Sequence, residues 1–412
     1  MVRISRYILV FTAIIGSAIA LPNLYWTIME KPVNGPFVTY SCIDKTFMIQ
    51  HGSPSGVVRE DTKGNKLTRE QYEKKLPMLY FMQLVTSGTM PDSINGVEMD
   101  MKNLRRARST YRFQPKLMDS PQPGLYPLFE SESGRVNLEM PDDFFRIAER
   151  IEFIEAKTNS IKEEKSALFT AALAKRGFEF PSKIIAGLPT TKKTCDEGYL
   201  LTDAKNQLFH LKMAKGKPYV KKVNLPENLS FKWIECVDFP NKQYYAYMIS
   251  SNNEVYIVNQ DTYELLKLPV EGFNPETDDL KIYGDFFNFD VIIEGDNYLK
   301  NYALDTKFNK VDFYEEKWND RYHRAEGKIF DILFPFELTL KSPVSHYIDF
   351  RINYSNSLNW LLFSLLLVAG QIFWLRRQKF TLKNHLIDIC LIAVTGIFGF
   401  FAVNVFQNKF FK

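Results

Sequence analysis

Two long apolar runs, at residues 357–375 and 386–406, are separated by a short basic segment at residues 376–385. Each run has about the 20 residues that a helix needs to cross the hydrocarbon core of a bilayer. Two such runs cannot close into a barrel, so in lipid only helices would satisfy their backbone hydrogen bonds. The pattern therefore predicts two membrane-spanning helices joined by a tight loop.

A third apolar run lies near the start of the chain, at residues 7–28, and it also predicts a membrane-spanning helix. Tyr25 and Trp26, near its end, form an aromatic pair typical of the membrane–water interface. The competing interpretation is a cleaved signal peptide, because Ala18-Ile19-Ala20 has the small-x-small form of a processing site. The apolar run continues past this tripeptide, which favours an uncleaved anchor.

Two arginines precede the first run and four Lys or Arg residues lie between the other two, and such charges resist translocation out of the cytoplasm. The residues that determine the predicted topology are Arg3, Arg6, Arg376, Arg377, Lys379 and Lys383. They place residues 1–6 and the loop at residues 376–385 in the cytoplasm. Residues 29–356 and 407–412 are then extracytoplasmic.

Small residues along the first predicted span are candidates for helix packing. Thr12, Gly16 and Ala20 recur every four residues, which makes a seam along which another helix can approach closely. Such residues are also common in membrane helices that pack against nothing, so the pattern leaves both interpretations open.

Polar residues inside the C-terminal runs are the default functional candidates of a membrane segment. They are Gln371, Asp388 and Asn404. Asp388 falls in the first turn of its predicted helix, beside the basic loop. We expect those cations and the helix N-terminus to neutralise it without any role in proton transport.

The middle of the chain, at residues 198–314, repeats a pattern of strand signals. Three times, two apolar runs flank a turn rich in Asp, Asn or Gly, and a third run follows. The third runs open at Tyr219, Tyr263 and Phe308, so the spacing is 44 and then 45 residues. Periods of about 40 to 50 residues with several strands each are typical of propeller blades.

A closed propeller needs more than three blades, and residues 37–59, 125–154 and 330–350 are candidates for degenerate ones. A generic antiparallel sandwich with similar hairpins is the alternative. The predicted fold class is therefore mainly β: a propeller-like or sandwich-like extracytoplasmic domain with a few helices, anchored by one N-terminal and two C-terminal transmembrane helices.

Two helices of this domain have N-terminal signals. Thr68 with Gln71, and Ser160 with Glu163, have the spacing of capping boxes. Pro77 should kink or restart the first of these helices, because proline cannot donate a backbone hydrogen bond.

Composition narrows the function classes. The 412 residues carry a formal charge of +4, and no long cationic cluster lies outside the loop, so nucleic-acid binding is not expected. The histidines and cysteines lack the spacing of a zinc site, and no phosphate-binding or nucleophile motif is present. We predict no cofactor, no metal and no catalytic residue. A disulfide among Cys42, Cys195 and Cys236 stays open.

Four segments carry a resemblance to a known family: TMPDSINGV, GLYPLFESESGRVNLEMPDDFFRI, EEKSALFTAALAKRGFEFP and DEGYLLTDAKNQLFHLK. The chain resembles the uncharacterised bacterial membrane proteins called domain of unknown function 4857 (DUF4857). That family has no assigned catalytic residues, so none carries over. The resemblance implies a multi-pass protein of the bacterial inner membrane, with most of the chain periplasmic and an association with an ABC-type transport system.

The large extracytoplasmic region and the lack of a catalytic motif favour a non-catalytic accessory or sensor subunit. Its expected partners are the lipid bilayer and an integral-membrane protein, and its ligand is unknown. The alternative is a periplasmic envelope hydrolase whose site is assembled from residues distant in sequence, such as carboxylates that share a cleft.

Overall fold

The computed structural model describes residues 2–30, 35–53, 56–135, 137–193, 196–239 and 242–408, without the side chains of Val2 and Arg3. The chain forms two compact units. The helical unit comprises Met1–Gly35, Asp296–Tyr298 and Lys317–Lys412, and the β-rich unit comprises Pro36–Gly295 and Leu299–Glu316. Cys195 and residues 409–412 of the predicted C-terminal segment lie outside the described residues.

Within the described residues, the α-helices are α1 (Val2–Met29), α2 (Arg69–Lys75), α3 (Pro77–Thr86), α4 (Met101–Ala107), α5 (Glu163–Lys175), α6 (Ala325–Leu333), α7 (Asn359–Arg377), α8 (Leu386–Thr395) and α9 (Ile397–Val405). The strands are β1 (Phe37–Ser41), β2 (Thr46–Ser53), β3 (Gly56–Asp61), β4 (Ser93–Ile94), β5 (Val97–Glu98), β6 (Ser109–Phe113), β7 (Tyr126–Pro127), β8 (Asp143–Ile147), β9 (Ile151–Glu155), β10 (Ile184–Gly187), β11 (Tyr199–Thr202), β12 (Leu208–Ala214), β13 (Lys217–Val223), β14 (Phe231–Cys236), β15 (Tyr244–Ser250), β16 (Val255–Asn259), β17 (Leu265–Lys267), β18 (Asp279–Gly284), β19 (Asn288–Glu294), β20 (Tyr298–Asp305), β21 (Lys310–Lys317), β22 (Phe336–Lys341) and β23 (Ile348–Tyr354).

The β-rich unit is built from small antiparallel sheets. Strands β10 to β13 form one four-stranded sheet, β14 to β17 form a second, and β18 to β21 form a third that β6 extends at the β18 edge. Each predicted pair of apolar runs forms the two central strands of one sheet. The strand before each pair, namely β10, β14 or β18, was not predicted and completes the sheet.

The three aromatic residues that defined the predicted period are not structurally equivalent. Tyr263 and Phe308 both precede the last strand of a sheet by two residues and adopt left-handed conformations, with φ of 64° and 63°. Tyr219 instead lies within β13. Only the spacing of 45 residues therefore joins equivalent positions.

Side-chain capping explains where several strands turn. Asp203 Oδ1 and Asp305 Oδ1 each accept hydrogen bonds from the backbone N–H groups two and four residues later, at 2.8 to 2.9 Å. An aspartate that binds its own backbone in this way stabilises a tight turn. The Asp-rich turns between apolar runs are therefore hairpin turns, as the pattern indicated.

Two three-stranded sheets occupy the regions predicted as degenerate blades in this unit. They are β1–β2–β3 and β7–β8–β9. Phe145 and Phe153 of the second sheet pack with Phe169 of α5 and Phe209 of β12 in one buried cluster. This sheet is therefore joined to the β10–β13 sheet by a shared aromatic core.

The helix signals were right in one case and wrong in the other. Thr68 and Gln71 form the predicted capping box, and Pro77 begins α3 after α2 has ended. The helix α5 instead has Lys162 as its N-cap, without a side-chain cap. The Ser160 hydroxyl is already hydrogen-bonded to the Thr158 hydroxyl at 2.7 Å, in the turn that precedes the helix.

In the helical unit, α1 packs through a face that repeats every four residues. Arg6, Val10, Ile14 and Ala18 are buried along this face. Farther along α1, Trp26 stacks on Phe330 of α6, with ring centroids 5.0 Å apart. Residues Ile4–Met29 of α1 and the whole of α7 are long and apolar enough to cross a membrane.

Residues 386–406 form two helices, so the prediction of one continuous helix was wrong. The break is at Gly396, whose φ of 59° and ψ of −129° end α8 and begin α9. Arg6 Nη1 donates to Asp388 Oδ1 at 2.8 Å, and Arg6 Nε donates to the carbonyl of Phe406 at 2.7 Å. Both ends of residues 386–406 therefore contact the side chain of Arg6. Helices α8 and α9 thus form a hairpin whose end lies close to its beginning.

Candidate functional site

The β-rich unit contains an open cleft between strands β1, β6, β18 and β19 and the corner that joins α2 to α3. Two carboxylates line it, Asp285 and Asp290, together with Arg108 and Cys42. The α2–α3 corner supplies an apolar wall, because Pro77 separates the two helices there. A cleft with an apolar wall and few polar groups is the usual form of a small-molecule site.

Asp285 is held in the turn between β18 and β19. Its Oδ1 accepts hydrogen bonds from the backbone N–H groups of Phe287 and Asn288 at 2.7 and 2.9 Å. Burial raises the pKa of the Asp285 carboxyl to about 6, although these hydrogen bonds and the Arg108 charge oppose the rise. The group can therefore exchange a proton near neutral pH.

Asp290 lies on β19 and is buried. The backbone N–H of Tyr40 donates to both of its carboxyl oxygens, at 3.1 and 3.2 Å. Burial, and next the negative charge of Asp285, raise the pKa of Asp290 well above its usual value. Two carboxylates whose environment disfavours a double negative charge tend to share one proton.

The Asn301 amide is a neighbour of Asp290, and its hydrogen bond to the carboxyl opposes the rise in the pKa of Asp290. Asn301 Nδ2 donates to the carbonyl of Val38 at 2.9 Å, whereas Asn301 Oδ1 has no hydrogen-bond partner among the described residues. The same two residues also satisfy backbone groups of β1, which gives them a structural role.

The thiol and the guanidinium of the cleft have more limited chemistry. Burial raises the pKa of the Cys42 thiol to about 12, so Cys42 is not the thiolate that a nucleophile requires. The Arg108 guanidinium lies over the Phe81 ring, 5.3 Å from its centroid. The cleft thus offers one ionisable acid near neutral pH, one cation and an apolar wall.

A second polar cluster is buried in the helical unit. The two oxygens of Asp388 accept from Arg6 Nη1 and Nη2 at 2.8 and 3.0 Å, and His385 Nδ1 lies 3.4 Å from Asp388 Oδ2. We expected the basic loop to neutralise Asp388. The partner is Arg6 of α1, because the α8–α9 hairpin brings the first turn of α8 to the first turns of α1.

A small cavity adjoins this cluster. Gln371 of α7 accepts a hydrogen bond from Asn404 of α9 at 3.0 Å, and both line the cavity. His385 Nε2 is buried without a hydrogen-bond partner among the described residues. The polar residues predicted inside the apolar runs are therefore brought together, and His385 joins them although its sequence position indicated only a loop.

The other candidates from sequence lie apart from both clusters. Thr12, Gly16 and Ala20 are exposed, on the side of α1 opposite its packed face. The exposed cations of the loop segment are Arg376, Arg377, Lys379 and Lys383. The side chain of Arg3 lies outside the described residues.

Asp285 and Asp290 were not singled out from the sequence. Adjacent acids such as Asp142-Asp143 and Asp278-Asp279 are more conspicuous in the sequence, but Asp143 and Asp279 form ion pairs with nearby cations. The available signal was Asp290 itself, an acid inside the apolar run of a central strand. Asp285, the second carboxylate of the cleft, could not be identified from the sequence. Only the turn between β18 and β19 brings it into the same cleft as Asp290.

The fold defines a mainly β protein of many small antiparallel sheets with apolar helices in a separate unit. The chain belongs to the family described as "Domain of unknown function (DUF4857)", whose model matches residues 37–304. The resemblance found in the sequence is thus confirmed. No curated protein matches the chain.

Similar solved structures include β-propellers. The β-propeller domain of Cps50 (Swd1) from Myceliophteria thermophila has 11% identity and a TM-score of 0.25, with 48% of this chain and 57% of that chain covered. The Dos1 propeller has 10% identity and a TM-score of 0.25, with 68% of this chain and 60% of that chain covered. The chain thus spans less than two thirds of the length of these structures.

Proposed function

We propose that this chain is a non-catalytic, membrane-anchored accessory or sensor subunit of a bacterial inner-membrane complex, such as an ABC-type transporter. In this proposal α1 and α7 cross the membrane and the β-rich unit lies in the periplasm. Its small sheets act as the blades of a propeller-like domain. The cleft at Asp285 takes a small ligand, whose occupancy is passed to the membrane partner.

The observation that carries the proposal is the inverted polarity of α7. Leu365 is 62% exposed and Phe373 is 69% exposed, whereas Gln371 is only 3% exposed. A helix in water buries its apolar residues and exposes its polar ones. A helix in lipid that turns a polar group inward toward its bundle does the reverse, which is the arrangement of α7.

Helix α1 supports the same interpretation. Ile8 and Phe11 are exposed while the charged Arg6 is buried against Asp388. Cleavage after a signal peptide would remove Arg6 and leave Asp388 buried without its cation, at a cost of several kcal/mol. Retention of α1 as an anchor therefore fits the packing better than removal.

The topology that we propose differs from the predicted one at the C-terminal end. Helices α8 and α9 contain 10 and 9 residues, and each is too short to span the hydrocarbon core. They enter from the cytoplasmic side and return to it as a re-entrant hairpin. Residues 407–408 then lie on the side of Arg6 and the basic loop.

Two measurements test this function. In the first, a membrane-impermeant maleimide is applied to intact spheroplasts that carry Lys215→Cys in a chain otherwise free of cysteine. Labelling without permeabilisation is expected, because the exposed Lys215 belongs to the β-rich unit. Labelling only after permeabilisation would place that unit in the cytoplasm and contradict the proposal.

The second measurement is affinity purification of the full chain from native membranes in mild detergent. A stoichiometric membrane protein should accompany the wild type and the control Phe11→Leu. Gly16→Ile should release it, because a bulky side chain keeps a partner helix from approaching the seam. Recovery of the wild type alone would count against an accessory subunit, whereas equal recovery of the partner with all three proteins would count against the seam at Gly16 as the contact.

A second candidate function is favoured by the two carboxylates of the cleft. If Asp285 and Asp290 share a proton, they form the kind of acid–base pair that catalyses hydrolysis. The test is a panel of fluorogenic esters, amides and glycosides with the purified full chain. Activity with a pH dependence near 6, abolished in Asp285→Asn and kept in the control Asp279→Asn, would support a hydrolase over the non-catalytic subunit.

A further inference from the structure

The hairpin of β22 and β23 exposes a row of apolar side chains. Every second residue of β23 is apolar and exposed, and the row consists of Ile348, Phe350, Ile352 and Tyr354. Ile348 is 86% exposed. Residues on alternate positions of a strand share one face. We call the face that carries this row the hairpin face.

The hairpin face continues the core of the helical unit. Leu338 pairs directly with Ile352 and Phe336 with Tyr354, so these side chains lie on one face. Leu338 is buried in the cluster that includes residues of α1, and the Phe336 ring lies 5.2 Å from that of Phe398 in α9. The hairpin face is therefore covered by the helices at Leu338 and exposed at Ile348 and Phe350.

The exposed row also lies close along the chain to the exposed apolar residues of α7. The strand β23 ends at Tyr354 and α7 begins at Asn359, so the two elements are joined by a connection of four residues. Leu358 and Leu362, on either side of the start of α7, are exposed as well. Apolar surface of this extent is rare on a protein surrounded by water and marks a contact with another phase or molecule.

On the basis of the membrane attachment proposed above, we propose that the hairpin face lies on the bilayer surface, with Ile348, Phe350 and Ile352 in contact with lipid. The occupant is the bilayer that surrounds α7, because only four residues separate the exposed apolar row of β23 from the start of α7, whose own apolar residues are exposed. Aromatic residues at the membrane–water interface are typical of such a position, and Tyr347 precedes the row while Tyr354 is its last member.

The depth of the hairpin follows from its backbone. In the described residues its sheet contains only these two strands, so each strand has an outer edge of backbone N–H and C=O groups. Such edges do not occur in the hydrocarbon region, where nothing can hydrogen-bond to them. The hairpin therefore lies at the headgroup level, where water and headgroups can satisfy its edges.

The opposite face of β23 fits that position. Its side chains are Asp349, Arg351 and Asn353. Arg351 Nη2 donates to Ser342 Oγ at 3.1 Å, and Asn353 Nδ2 donates to Glu337 Oε1 at 3.0 Å. One side of the hairpin is thus polar and internally hydrogen-bonded, and the other is apolar and uncovered.

Photo-crosslinking of the full chain tests the lipid contact. The photoreactive residue p-benzoylphenylalanine is introduced at Phe350 or Ile352 on the hairpin face, at Asn353 on the polar face, and at Leu365 on the exposed side of α7. Each protein is reconstituted in vesicles of phosphatidylethanolamine and phosphatidylglycerol, irradiated, and analysed by intact-mass spectrometry. We expect lipid adducts at 350, 352 and 365 and none at 353.

The position at Leu365 separates this inference from the membrane proposal. A lipid adduct at 365 with none at 350 or 352 would overturn the lipid contact and leave the membrane anchor intact. A dimer adduct at 350 or 352 would show a second copy on the hairpin face and would likewise overturn it. If no position yields a lipid adduct, the membrane proposal fails together with this one.

Discussion

Arg6 in α1 donates two parallel hydrogen bonds to Asp388 in α8, from Nη1 to Oδ1 at 2.8 Å and from Nη2 to Oδ2 at 3.0 Å. The side chains of Arg6 and Asp388 are only 6% and 1% exposed. A bidentate pair of this kind fixes both position and orientation. It therefore ties the first turns of α1 to the α8–α9 hairpin.

Removal of one member of this pair should be far more costly than removal of both. Asp388→Ala leaves a buried guanidinium without its anion, and we expect a loss of about 3–5 kcal/mol in the free energy of unfolding. In Arg6→Met with Asp388→Leu no buried charge remains, so most of that stability should return. Reversible unfolding by sodium dodecyl sulfate in mixed micelles measures the differences.

The matched control for this prediction is the exposed pair of Arg321 with Glu30. Its side chains are 42% and 46% exposed, with a closest approach of 3.7 Å. Glu30→Gln should change stability by no more than about 1 kcal/mol, the usual value of a surface pair. Equal losses in the free energy of unfolding from Asp388→Ala and Glu30→Gln would mean that the buried pair stabilises the fold no more than a surface pair does.

Much of the local structure could be predicted from sequence because its causes are local. The Thr68–Gln71 capping box, the restart at Pro77 and the central strands of each sheet depend on residues a few positions apart. Their signals are side-chain hydrogen bonds to nearby backbone and alternation along a strand. Such signals are readable in any short stretch.

The α8–α9 hairpin and the cleft could not be predicted because their causes are distant or conformational. Residues 386–406 have the composition of one spanning helix, and only the left-handed conformation at Gly396 divides them. Asp388 meets a residue 382 positions away. Asp285 and Asp290 become a pair only when a hairpin turn and a β-sheet place them in one cleft.

Gly396 should resist substitution. Its φ of 59° lies in the region that favours glycine, and an added Cβ would lie 3.0 Å from Ser364 Oγ and 3.3 Å from Pro335 Cδ. We expect Gly396→Ala to lower the free energy of unfolding by about 1–3 kcal/mol, the usual cost of a strained backbone conformation. The same unfolding titration in micelles measures it.

Gly370 in α7 is the control for this substitution. A Cβ there would meet nothing within 4 Å. Gly370→Ala should therefore stabilise the helix by about 0.5–1 kcal/mol, because alanine loses less conformational freedom on folding. A neutral or stabilising effect of Gly396→Ala would contradict the break between α8 and α9.

Asp290 should make the β-rich unit less stable as the pH rises. Its pKa in the folded state is well above the value of about 3.9 expected in the unfolded chain. The folded state therefore binds a proton that the unfolded chain has already released above about pH 4, so the free energy of unfolding falls from there toward neutral pH. Thermal unfolding at a series of pH values, followed by near-ultraviolet circular dichroism, measures the slope.

Two variants assign that slope to Asp290. Asp290→Asn keeps an acceptor for the Tyr40 N–H and a polar neighbour for the Asn301 amide but cannot titrate, so it should fold with a flatter dependence on pH. Asp290→Ala leaves those buried groups unsatisfied and should cost about 1–3 kcal/mol. Other groups titrate in the same range, so the comparison is between each variant and the wild type at each pH. An unchanged slope in Asp290→Asn would assign the effect elsewhere.

The re-entrant topology that we propose for α8 and α9 predicts the side of the membrane on which residue 407 lies. Arg6 contacts both Asp388 and the carbonyl of Phe406, so the segment returns to the level at which it began. In a chain free of other cysteines, Gln407→Cys should react with an impermeant maleimide only after spheroplasts are permeabilised. Lys383→Cys in the basic loop should behave in the same way, whereas Lys215→Cys should react in intact spheroplasts. If Gln407→Cys reacts like Lys215→Cys, residues 386–406 cross the membrane, and the Arg6 contacts with both ends of the segment cannot form together.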